Sequence, residues 1–453
     1  MTDRQIALCR MVDRHKDAIL FAERHIAAQP EPGFQEWKTT AYLKKEFESL
    51  GYTLQGPDNI PGFFTDIETG RPGPKVLVLG ELDALLCAGH PEENAGVAHA
   101  CGHNAQCAAL LGLAAALKEE GALNGLSGSI RLMAVPAEEM IQLDYRNQLR
   151  REGKIRYLDG KVEFMSRGYM DDVDLAFMVH TGADDSCDFY CNQGHNGFLV
   201  KRAEYLGKAA HAGASPELGI NAMYAAGVGL DAINALRETF RDEDHIRVHP
   251  ILTEAGTSVN SIPERAVIEN YVRGASLCAI DDVSQRVNRA LAGAAVALGT
   301  GLIVSNQPGY APMHNDPALM QAAKACMEAL VGPDRVNFRS YWSRGSTDMG
   351  DLSAVIPAIH PYACGAEGAA HAVSWRVKDP ERACVNSAKA QLLLLAHLLE
   401  NDASCARNIC HSYVPVYPDI PSYLRSIDER FAKWQLSCAS EADGSMHFDW
   451  QKQ

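Results

Sequence analysis

The chain has 453 residues, with 42 lysine and arginine side chains against 57 aspartate and glutamate, a formal charge of −15. A single hydrophobic core stops growing at roughly 250–300 residues, so at least two domains are expected, and the acidic excess argues against nucleic acid as a partner. With 47% hydrophobic and 22% charged residues the composition is that of an ordinary globular protein.

The N-terminal stretch carries Asp3, Arg4, Arg10, Asp13 and Arg14 where an export signal needs an apolar core. No apolar run approaches the ~18 residues of a membrane-spanning helix. A cytoplasmic protein with no membrane partner is expected. Its 13 scattered cysteines then read as packed small hydrophobes, metal ligands or nucleophiles, not as a disulfide framework.

Gln5 to Ser49 predicts two amphipathic helices, broken around Pro30, Pro32 and Gly33, with Gly51 as the closing cap. Lys75 to Leu79 reads as a strand buried on both faces, running into Gly80-Glu81-Leu82-Asp83. Asn104 to Glu120 predicts a helix with His103 or Asn104 as its N-cap. Ser129 to Pro136 and Asp174 to His180 are two further core strands, and the alternation indicates an α/β domain. From Gly197 the pattern changes to strands at Phe198–Tyr205, His249–Thr253 and Ala266–Val272, with helices at Asn221–Thr239 and Asp281–Ala297. Such a βαββαβ-like block suits a small inserted domain. The α/β character returns with helices at Pro317–Val331 and Asn386–Glu400, and the tail reads as extended chain with one helix near Ile427 to Leu436. The expected boundaries are 1–195 and 308–400 for one α/β domain, 196–307 for the insertion and 401–453 for a C-terminal extension.

Candidate chemistry gathers where predicted strands end. In His99-Ala-Cys101-Gly-His103-Asn104 a thiol and an imidazole meet at a helix N-terminus, where the local field favours thiolate, and both suit a borderline ion such as zinc. Alone, the pair also reads as a packed cysteine with a capping histidine. Pro136-Ala-Glu138-Glu139 places two carboxylates after an apolar strand, costly there unless a cation compensates them, though a solvated loop is the commoner reading. His180 ends a strand, and His371 lies in a loop of small residues. Five such residues at strand ends of one α/β sheet are harder to read as structural, because open α/β sheets bind ligands at the carboxyl ends of their strands.

Six motifs carry a specific resemblance: Gly80-Glu-Leu-Asp-Ala-Leu85, His99-Ala-Cys-Gly-His-Asn104, Pro136-Ala-Glu-Glu139, Gly207-Lys-Ala-Ala-His-Ala-Gly213, Asn260-Ser-Ile-Pro263 and Gly345-Ser-Thr-Asp-Met-Gly350. In this order the chain resembles the di-metal aminoacylase/carboxypeptidase-type metallopeptidase family over about residues 5 to 400, nearest its amidohydrolase branch. The resemblance implies a phosphorylase/hydrolase-like mixed-sheet catalytic domain with an inserted ferredoxin-like α+β lid or dimerisation domain. It implies two divalent ions, Zn2+ or Mn2+, held by Cys101, His103, Glu139, His180 and His371, with Cys101 the bridge. Glu138 would be the general base and Asp83 a supporting carboxylate that orients a ligand. His211 would polarise the scissile carbonyl, reaching the site of a partner subunit in a homodimer or higher homo-oligomer, while Asn260 and Arg273 would hold an anionic substrate end. Asn104 and Glu81 stand where much of the family has Asp. The stretch from Met140 to Tyr169 is long for the family and is expected to shape the substrate pocket or cover the site, and His360 is a fallback ligand. The expected reaction is hydrolysis of an amide in a small N-acyl or N-aroyl amino acid, dipeptide or aryl amide. Two alternatives stay open: Cys101 as a covalent nucleophile, and a non-catalytic binding protein.

Overall fold

The computed structural model describes residues 1–440 and 446–452, which form two compact units. The first comprises Met1–Gly194, Met313–Trp342 and Asp351–Pro421. At its centre lies a five-stranded mixed sheet in the order Phe63–Glu68, Ser129–Val135, Lys75–Glu81, Leu175–Phe177, Ala358–Ile359. Phe63–Glu68 runs antiparallel to its neighbour and the other pairings are parallel. Lys75–Glu81 is buried beyond its first residue, as an apolar run flanked by parallel neighbours should be.

Helix His103–Leu117 packs against this sheet and is buried at every position. Its alanine-rich, uniformly apolar sequence has no polar face to offer water, which fits burial on all sides. The expected cap is corrected. The N-cap is Gly102, at φ 89°, a left-handed conformation that L side chains avoid. A Cβ at Gly102 would also lie 2.7 Å from Cβ of Thr181. Three N-terminal helices, Asp3–Arg14, Lys16–Ala27 and Trp37–Ser49, replace the expected two, because the capping box of Thr2 and Gln5 starts a separate first helix that His15 ends. A second, four-stranded sheet takes the order Val336–Phe338, Phe189–Cys191, Tyr362–Cys364, His180–Gly182.

The second unit comprises His195–Pro312, Ser343–Gly350 and Ser422–Gln453, of which 441–445 and 453 lie outside the described residues. Strand Gly197–Leu206 pairs antiparallel with both Arg265–Gly274 and Gly301–Pro308, and helices Ala222–Leu236 and Leu277–Leu298 bury Ala225, Ile233, Val287 and Leu291 against the sheet. The helix expected near Ile427 to Leu436 falls instead at Ile420–Arg430. Ala432–Ser440 then pairs with Gly301–Pro308 and continues as a hairpin to Met446–Lys452. The alternation of Trp434 and Leu436, the latter buried in the unit's core, is the period-two pattern of a half-buried strand. Among the described residues no helix is long and apolar enough to cross a membrane.

Candidate metal centre

Four strands of the central sheet deliver the candidate side chains from their carboxyl ends. Glu81 ends strand Lys75–Glu81 and Asp83 follows it, Glu138 and Glu139 follow Ser129–Val135, His180 follows Leu175–Phe177, and His360 follows Ala358–Ile359. The turn carrying the adjacent carboxylates holds Ala137 at φ 60°, and His371 sits at φ 64°. Non-glycine residues in that region cost of order 1 kcal/mol and cluster where side chains must be aimed. The His371 amide donates to the Ala100 carbonyl (2.8 Å), which ties its loop to the Cys101 turn.

Three sets of ligand atoms lie within 4.8 Å of one another: Cys101, His103 and His180; Cys101, Glu139 and His371; and Glu81, His103 and Glu138. Cys101 belongs to the first two, with its Sγ 3.6 Å from His180 Nε2. Glu139 Oε1 is 3.1 Å from His371 Nε2, and His103 Nε2 is 4.0 Å from a Glu138 oxygen. His360 lies in none of these sets; its ring centroid is 5.3 Å from that of His180 and its amide donates to Asn315 Oδ1 (2.7 Å).

The imidazoles are oriented from behind. His103 Nδ1 is 2.9 Å from the Asp83 carbonyl and 3.2 Å from Asp83 Oδ1, while the other Asp83 oxygen accepts the Glu139 amide (2.8 Å). His180 Nδ1 faces the Thr181 carbonyl at 2.9 Å. Both rings thus turn Nε2 toward the cluster, the arrangement that fixes the tautomer of a metal-binding histidine. Burial works against a charged His103, yet Glu81 and Asp83 overcome it and hold its pKa up at about 10. Burial takes His180 down to about 4. Burial, with Glu139, Glu138 and Glu81, pushes the Cys101 thiol well above its ordinary value.

These residues fit a divalent cation on chemical grounds. The donor set is thiol, imidazole and carboxylate, the ligands of zinc and manganese. His103 Nε2 and Glu139 Oε1 are buried without a hydrogen bond, and a cation would satisfy both.

Nothing in local sequence marks the residues that support the centre from behind. In the stretch from Met140 to Tyr169 the helices Leu143–Arg151 and Gly160–Ser166 send Arg146 and Lys161 inward, both with no exposure. Arg146 donates to the carbonyls of Leu158 (2.6 Å), Ala137 (3.2 Å) and Glu139, bracing the turn of the two glutamates. Glu36 accepts the Ala137 amide (2.7 Å). Lys161 Nζ is 2.5 Å from Glu81 Oε1. A charged pair spaced by 80 residues leaves no local signal. Asn104, at the position often held by Asp, donates to buried Glu23 (2.8 Å), which explains why an amide suits that place.

The remaining candidates lie in the second unit. His211 Nδ1 accepts the amides of Gly213 (3.2 Å) and Ala214 (2.9 Å), and its Nε2 lies 3.2 Å from Asn260 Nδ2. Arg273 Nη1 donates to Ser346 Oγ (2.7 Å), and its guanidinium lies 5.0 Å from the Phe198 ring centroid.

The profile of "Peptidase family M20/M25/M40" matches residues 77–397. One of the two curated chains of p-aminobenzoyl-glutamate hydrolase from Escherichia coli is 33% identical over 283 residues, 57% of this chain and 60% of that protein. Human Xaa-Arg dipeptidase is 26% identical over 373 residues, 78% and 77% of the two chains. A crystal structure of a dinuclear metal-binding peptidase of the M20 family from Bacillus subtilis matches 85% of this chain and 98% of its own with a TM-score of 0.65 at 22% identity, a likeness of fold.

Proposed function

The chain belongs to peptidase family M20/M25/M40 and is a hydrolase of that family, and from that premise we propose that it cleaves the amide of a small N-acyl or N-aroyl amino acid, dipeptide or aryl amide at a two-ion centre. The observation that carries this reading is the pair of ligand sets, Cys101/His103/His180 and Cys101/Glu139/His371, which share one thiol and have Glu138 beside them. Cys101 would bridge the ions. Two divalent ions held there, zinc or manganese, would supply Lewis acidity and lower the pKa of a bound water. Glu138 takes the proton from the attacking water and passes it to the leaving amine, as suits a carboxylate placed beside the ligands and not among them. Asp83 keeps His103 turned and basic. Burial and the carboxylates around Cys101 favour metal chemistry over the thiol-nucleophile alternative, because without a nearby cation they disfavour the thiolate that alternative needs.

Arg273 and Asn260 would hold an anionic substrate end, and His211, supplied from the second unit of a partner protomer, would polarise the scissile carbonyl. A homodimer through that unit is supported by Ile251 (61% exposed) and Leu252 (40%) on an exposed strand, and by Tyr224 (62%) on helix Ala222–Leu236. The kind of substrate is supported by the named relatives, one acting on p-aminobenzoyl-glutamate and one on Xaa-Arg dipeptides. The decisive experiment is an activity screen of the protein reconstituted with Zn2+ or Mn2+, across N-acyl amino acids, aryl-glutamates and dipeptides, with mass detection of the released amine. Release of amine from at least one class, abolished by Glu138→Gln with metal retained, is expected. No release from any of them would refute the amidohydrolase reading.

A further inference from the structure

Lys161 is a cation with no solvent exposure, delivered to the edge of the candidate centre by the segment that is long for this family. Its ammonium lies against Glu81 Oε1 at 2.5 Å. The second oxygen of the same carboxylate accepts Gln106 Nε2 (3.0 Å) and lies 3.2 Å from His103 Nε2. Glu81 also belongs, with His103 and Glu138, to a third set of potential ligand atoms. Both of its oxygens are therefore engaged by donors of the protein, and it stands next to a nitrogen that faces the centre. A buried carboxylate in such a place either binds a cation or is neutralised by one already there.

We propose that Lys161 is a positioning residue that withholds Glu81 from the metal ions, so that His103 is shared only with Cys101 and His180 and Glu81 stays outside the coordination sphere. This rests on the reading of the cluster as a metal centre. Two physical effects act together. The ammonium occupies one carboxylate oxygen and, with Gln106, fixes the plane of the other, and its positive charge opposes a divalent ion drawn toward Glu81. The two helices of the segment from Met140 to Tyr169 then divide the support of the centre between them. Arg146 braces the turn of the glutamates from one helix, and Lys161 sets the ligand count from the other.

The test uses the full chain loaded with Co2+, whose thiolate charge-transfer band reports Cys101 and whose visible bands report coordination number. In Lys161→Met, Glu81 is released and becomes a ligand. The visible absorption falls as coordination number rises, and Co2+ is held tighter by about tenfold or more against a competing chelator, the scale of effects from residues behind metal ligands. Glu81→Gln keeps an acceptor for Lys161 and leaves the wild-type spectrum unchanged, and adding it to Lys161→Met returns that variant to the wild-type spectrum. A Lys161→Met protein with wild-type spectrum and retention, or with weaker retention, overturns the proposal. So does a changed spectrum in Glu81→Gln, which would make Glu81 a ligand already, and that variant decides the matter should Lys161→Met fail to fold. Absence of the thiolate band from the wild type would instead refute the metal centre itself, an outcome distinct from a band that is present but indifferent to Lys161.

Discussion

Replacing Glu23 by Gln tests how burial and hydrogen bonding behind the centre are balanced. Glu23 lies on helix Lys16–Ala27 with 6% of its surface exposed and accepts the side-chain amide of Asn104 (2.8 Å). Burial, reinforced by Glu92 and opposed by Arg24 and Asn104, takes its pKa from 4.5 to about 7. The folded state therefore binds this proton more tightly than the unfolded state does. Stability from this group is fully present below the unfolded pKa of 4.5, declines as pH rises, and is lost above about 7. At about 1.4 kcal/mol per pH unit, that interval corresponds to about 3 kcal/mol of destabilisation by the ionised form at pH 8. Gln keeps an acceptor for Asn104 and carries no charge, and the preference of that hydrogen bond for the ionised form is already contained in the shifted pKa. Glu23→Gln should then be more stable than the parent by about 3 kcal/mol at pH 8 and no more stable at pH 4.5. Urea unfolding at pH 4.5, 6, 7 and 8 measures this. Equal stabilities at pH 8, or an unchanged pH slope between 4.5 and 7, would refute the assignment of a strained, buried carboxylate.

Gly102→Ala should cost about 2–4 kcal/mol, from the left-handed φ and the 2.7 Å approach to Thr181, read as a lower urea midpoint with unchanged m-value; a change within about 0.5 kcal/mol would show that the turn adapts. Asp83→Asn should weaken metal retention by about 10–100-fold, because His103 loses the carboxylate behind Nδ1; retention equal to the parent in a chelator competition would remove Asp83 from that role. Dialysis against a strong chelator should abolish hydrolysis, with recovery on adding back Zn2+ or Mn2+, and an activity that survives chelation but not thiol alkylation would restore Cys101 as a nucleophile. Leu113→Ala, in the wholly buried helix, should lower stability by about 2–5 kcal/mol in the same urea assay, and a smaller loss would mean that the core closes over the gap.

Local sequence carried a good part of the architecture. An apolar run bounded by Gly and Pro and ending in Gly-Glu-Leu-Asp suits a doubly covered strand, and Ala108 to Leu117 has no polar face, so strand and helix were legible without tertiary information. The tail was not. Its first strand, Ala432–Ser440, alternates too briefly to be told from a helical stretch, and it is a strand because Gly301–Pro308 offers it an open edge. The same holds for the Gly102 cap: a glycine before a histidine reads as spacing until Thr181 is seen to leave no room for a Cβ.

By itself the sequence narrowed which side chains could do chemistry, because a thiol, imidazoles and carboxylates fall just beyond apolar strands in motifs that resemble, in order, those of a known family. Only the tertiary structure decided their company. The fold brings Cys101, His103 and His180, and Cys101, Glu139 and His371, within 4.8 Å of one another, and inward-turned helices place Arg146 and Lys161 behind the glutamates. Compensation of buried charge is a property of distance through a low-dielectric interior, and residues 80 positions apart in sequence have no way to announce it.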